Sequence, residues 1–152
     1  MKSKIAPKNI VLFLVMVLLA NSLSSCALFA KDKVSAQTLD GYIMDVHCFV
    51  IKSDPGSDSK ACLQMPGCAA TGFGIAVKQD DGTYKFFFFD GNFAPSATDG
   101  QTKAMNLIDN TVKKDHVYIS VTGELTGSST KYEKNGVSYP VIKVSNIVES
   151  TE

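Results

Sequence analysis

The chain has 152 residues, 45% of them hydrophobic, and its fifteen lysines balance fifteen acidic residues with no arginine, so the formal charge is zero. A nucleic-acid groove must neutralise phosphates with clustered cations, and no such cluster is present, so a nucleic-acid partner is excluded as the basis of function. The same lack of a polybasic patch means that any attachment to a membrane must come from lipid rather than from surface charge.

Taken in chain order, MKSKIAPKN supplies Lys2, Lys4 and Lys8 and runs into IVLFLVMVLLA, an unbroken apolar stretch from Ile10 to Ala20. Eleven residues at about 1.5 Å each span about half of a roughly 30 Å hydrocarbon core, so this reads as an export signal. The following LSSC, Leu23 to Cys26, looks like a bacterial lipobox, which implies that Cys26 takes a diacylglyceryl group and becomes the mature N-terminus. The expected organisation is a signal peptide over 1–25, a tether over 26–37 and one domain over 38–152. The expected location is the extracytoplasmic face of the cell membrane. Loss of the three signal lysines leaves twelve against fifteen acids, a mildly acidic mature protein.

TLDGYIMDV, Thr38 to Val46, reads as a first strand, with Gly41 as a bulge or point of close approach. A long excursion follows, in which SDPGSDS, Ser53 to Ser59, is dense in turn residues and reads as an exposed loop. GFGIAVKQ and TYKFFFFD are strands joined by Asp80-Asp81-Gly82, a hairpin turn, and should pair antiparallel. The run Phe86 to Phe89 reads as core rather than as a stacking surface for a ligand. After a loop from Asp90 to Gly100, the spacing of Ala104, Met105, Ile108 and Val112 predicts a short helix capped by Thr98 or Asp99. HVYISVTGEL alternates cleanly as a strand, Thr126 to Gly136 reads as a polar loop, and VSYPVIKVSNIVE is a last strand with Pro140 at an edge or start.

This order, strand-strand-strand-helix-strand-strand, is that of a five-stranded OB-fold-like barrel, so the fold class is mainly β, with a small β-sandwich as the runner-up. The lipobox, GYIMDVHC, CLQMPGCAATGFG and VTGEL together resemble uncharacterised exported bacterial lipoproteins with a small OB-like domain. That resemblance implies a location and a fold, and no catalytic residues.

With Cys26 assigned to lipid, Cys48, Cys62 and Cys68 remain, an odd number for an exported domain. A Cys48–Cys68 disulfide would close the long excursion at its base and stabilise the fold by about 3 kcal/mol; Cys62–Cys68 would close a smaller ring. A soft-metal site is the second arrangement, with His47, Cys48, Cys62, Met65 and Cys68 as ligands for Zn(II) or Cu(I). His47 and Cys48 point apart on a continuing strand, so both reach one ion only if the chain turns there. Pro66 keeps a regular helix from bringing Met65 and Cys68 onto one face. Thiol-redox chemistry is the third, but no Cys-x-x-Cys motif is present. Asp45, Asp54, Asp58, Asp80, Asp81 and Asp90 read as turn residues. The functional expectation is a non-enzymatic, lipid-anchored binding protein for a metal, small ligand or protein partner. An exported thiol-redox protein and a structural envelope protein braced by a disulfide are the alternatives.

Overall fold

The computed structural model describes residues 35–52, 54–91 and 99–152. The segment read as an export signal, Cys26 and residues 26–34 of the expected tether lie outside the described residues, as do Ser53, Thr98 and most of the loop after Asp90. No described helix is long and apolar enough to cross a membrane.

Five strands form a closed barrel: β1 (Gln37–Asp45), β2 (Phe73–Lys78), β3 (Tyr84–Phe89), β4 (Tyr118–Tyr132) and β5 (Val137–Glu149). Their order around the barrel is β1-β2-β3-β5-β4, with β4 returning to β1. All neighbours are antiparallel except β3 and β5, which pair parallel at Phe88 with Val141 and Phe89 with Ile142. This is the OB-fold-like architecture expected from the element order.

The excursion between β1 and β2 carries the first helices: α1 (Val46–Ile51), a 3-10 turn (Pro55–Ser57), α2 (Lys60–Leu63) and α3 (Pro66–Ala69). Helix α4 (Gly100–Asn110) lies between β3 and β4, and Asp99 caps it by accepting from Thr102 N. Ala104 and Ile108 of α4 join the barrel core. Gln101, fully buried, donates from Nε2 to the carbonyls of Phe73 and Phe89 and accepts from Phe73 N, which ties the helix to β2 and β3.

Period-two alternation splits the strand residues between two apolar clusters. Ile43, Ile75, Phe87, Phe89, Ile119 and Val121 belong to the main core. Met44, Ala76 and Phe86 belong to a second cluster, and Phe88 packs against it. The four-phenylalanine run is therefore core on both faces of β3. Gly41 is a close-approach point, as expected: a Cβ there would collide with the carbonyl of Ala76 on β2.

Two elements depart from the sequence expectation. Strand β4 continues through Thr126–Tyr132, where a polar loop was expected; after a register shift between Leu125 and Ser129, Ser129–Tyr132 pair with Val137–Pro140. Exposed polar side chains on an extended hairpin look like loop residues in sequence, because no apolar face marks the strand. The segment around Ser59 is also not simply an exposed loop, since Pro55 and Asp58 are buried.

Candidate metal centre

The chain turns where β1 ends. Asp45 caps α1, its Oδ1 accepting from Cys48 N at 2.9 Å and lying 3.1 Å from Thr71 Oγ1. Val46 N donates to Gly72 O at 3.0 Å, and this pair joins the two ends of the excursion. Ser59 caps α2 through Cys62 N. Lys60 and Gln64 hold α2 to the end of α4, through the carbonyls of Asp109 and Thr111 and the Asp109 carboxylate. Pro66 opens α3, where its missing N–H costs nothing, and Thr71 Oγ1 donates to Cys68 O at 2.8 Å.

These anchors bring three thiols together from three separate helices. Cys48 Sγ lies 3.6 Å from Cys62 Sγ and 3.9 Å from Cys68 Sγ, and all three sulfurs fall within 4.8 Å of one another. Cys48 and Cys68 are buried and Cys62 is partly exposed, and all three are free. A disulfide needs sulfurs about 2.05 Å apart. The loop-closing bond expected for Cys48–Cys68 or Cys62–Cys68 is therefore not formed; Cys48 instead stands between two neighbours at nearly equal distance.

Two carboxylates adjoin the triangle. Oxygens of Asp45 and Asp58 and the Cys48 sulfur lie within 4.8 Å of one another, and both acids are fully buried. Asp58 Oδ1 accepts from Lys52 Nζ at 2.9 Å, and Lys52 Nζ also lies 3.8 Å from Cys62 Sγ. Asp45 Oδ2 and Asp58 Oδ2 are buried without a hydrogen-bond partner among the described residues. Leaving such an oxygen unpaired costs about 1–3 kcal/mol or more, so the arrangement calls for a ligand-side explanation.

The electrostatics follow from this packing. Burial pushes the Cys48 thiol well above its ordinary range, and the Asp45 and Asp58 carboxylates push it further. Burial and Asp58 raise Cys62 to about 11, against the opposing pull of Lys52. Burial alone would lower Lys52, but the Asp58 carboxylate outweighs it and holds the ammonium above its usual value. Without a cation beside them, the Cys48 and Cys62 thiols keep their protons at neutral pH.

His47 does not join this group. Adjacent residues on α1 diverge by about 100°, so Cys48 faces the sulfurs while His47 Nδ1 sits 2.9 Å from Tyr132 Oη. Met65 is 55% exposed at the start of α3. Asp45 and Asp58 were missed as site residues because turn-forming aspartates are ordinarily solvated. The only sequence signal was their nearness to Cys48 and Cys62.

No protein-family model, no curated protein and no solved structure matches this chain.

Proposed function

We propose that this chain is a membrane-anchored, extracytoplasmic binding lipoprotein that holds one soft or borderline metal ion, Zn(II) or Cu(I), on the thiolates of Cys48, Cys62 and Cys68. The supporting observation is the sulfur triangle. Tetrahedral zinc with Zn–S bonds of about 2.3 Å sets its sulfurs about 3.8 Å apart, and the measured separations from Cys48 are 3.6 and 3.9 Å. The ligand cage is thus near its bound spacing, which lowers the ordering cost of capture. The raised thiols favour binding over redox catalysis, because a nucleophilic or exchanging cysteine works as a thiolate, which requires a lowered pKa.

The membrane part of the proposal rests on Cys26 and the apolar segment before it. Lipidation is tested by labelling cells with a fatty-acid analogue: the wild-type chain takes up label and Cys26→Ala does not, whereas equal labelling contradicts the anchor. Metal binding is tested by elemental analysis of the reduced chain after zinc loading and gel filtration. One zinc per chain is expected, and none in Cys48→Ser; equal retention by both contradicts the site.

A further inference from the structure

Three thiolates leave one position of a four-coordinate ion to be filled. His47 faces Tyr132 rather than the sulfurs, and Met65 faces solvent. The two buried aspartates each use one oxygen in the protein and leave the other without a hydrogen-bond partner among the described residues. They are not equivalent. Asp45 Oδ1 accepts from Cys48 N at the start of α1 and lies 3.1 Å from Thr71 Oγ1, whose one proton it shares with Cys68 O, and its carboxylate adjoins Cys48. Asp58 Oδ1 accepts from the flexible Lys52 ammonium, the Cys62 thiol hydrogen-bonds to the same carboxylate, and a carboxylate oxygen of Asp58 lies within 4.8 Å of Cys48 Sγ. Carboxylates that ligate a metal are themselves held by a hydrogen-bond partner, and Asp58, with Oδ1 held by Lys52 and Oδ2 open, has that form.

We infer that Asp58 Oδ2 is the fourth ligand, completing a three-sulfur, one-oxygen site with Cys48, Cys62 and Cys68, and that the site selects a divalent four-coordinate ion such as Zn(II) over Cu(I). This rests on the three-thiol reading above. Two arguments support the selectivity. Cu(I) is satisfied by thiolates and gains little from a carboxylate, whereas Zn(II) accepts carboxylate oxygen at about 2.0–2.2 Å. Four anionic ligands with Lys52 as the paired cation also leave less uncompensated buried charge around a doubly charged ion than around a singly charged one.

The test uses the reduced full chain in mild detergent, titrated without oxygen with Zn(II) and Co(II), and with Cu(I), each against a chromophoric chelator. Asp58→Asn is expected to weaken Zn(II) binding by about tenfold or more while Cu(I) binding falls by less than about threefold. Asp58→Cys is expected to restore Zn(II) binding and to move the Co(II) d–d absorption to lower energy, as sulfur replaces oxygen. Asp45→Asn is expected to leave the d–d envelope in place. Equal losses of both ions in Asp58→Asn, no loss of either, or the Asp58 pattern appearing in Asp45→Asn would overturn the assignment. Should Asp58→Asn fail to fold, the Asp58→Cys cobalt spectrum decides, an unshifted band counting against Asp58. Wild-type protein that binds none of the three ions removes the three-thiol reading itself.

Discussion

The barrel interior and the layer beneath the excursion are built from the same strands and obey different rules. Ile43, Phe73, Phe87, Phe89, Ile119 and Val121 fill the main core with apolar side chains. One residue along, Met44 and Phe86 face a second cluster that contains Cys48 and Cys68 and is bordered by the buried Asp45 and Asp58. The first region is satisfied by packing. The second encloses two carboxylate oxygens with no hydrogen-bond partner among the described residues and three free thiols, an arrangement that the proposed cation would complete. On the proposed reading, β1, β2 and β3 place stability on one face and binding on the other.

The largest expected effect lies in the barrel. Phe73→Ala should cost about 3–5 kcal/mol in urea unfolding, with zinc present or absent. Cys48→Ser should do the reverse, lowering zinc affinity by more than about 100-fold while the far-UV spectrum of the barrel persists. A collapse of the fold in Cys48→Ser would break the division between the two regions. Zinc at 100 times its dissociation constant should add about 2.7 kcal/mol to wild-type stability, and Cys48→Ser should lose that increment.

A smaller effect appears with pH. Burial raises the Cys62 thiol from 9.0 to about 11 in the folded chain, so the metal-free folded state retains a proton that the unfolded chain releases. The associated stability is complete below pH 9 and declines as the pH climbs from 9 to 11. Zinc affinity follows the opposite course and strengthens with rising pH, because the ion displaces thiol protons. Urea midpoints of the metal-free chain that rise over this interval would contradict the raised thiol. The smallest effect is expected at His47: His47→Ala should leave zinc affinity within about threefold, and a larger loss would return the imidazole to the ligand set.

The barrel was legible from sequence because its signals are local. Alternation in Val117, Ile119 and Val121, the Asp80-Asp81-Gly82 turn and the Asp99 cap each act over a few residues. The three cysteines were legible as a group, and their convergence was not, since it depends on the turn at Asp45, on Lys60 reaching the end of α4 and on Pro66 starting a new helix. Asp58 shows the limit most plainly. It lies in SDPGSDS, a polar string that reads as solvent-exposed, and it is buried because Lys52, six residues earlier, returns to pair with it. The far half of β4 was missed for the opposite reason, being a largely exposed strand held by pairing with β5 and by Tyr132 at its end, which meets His47.

The central claim, that Cys48, Cys62 and Cys68 act as one metal-holding unit, is tested most directly by the intact mass of the zinc-loaded chain under native and denaturing conditions, with alkylation after denaturation. The account predicts one zinc retained natively and three alkylated thiols among Cys48, Cys62 and Cys68 once the ion is removed. No retained metal, together with a two-proton deficit and a single alkylated thiol, would contradict it.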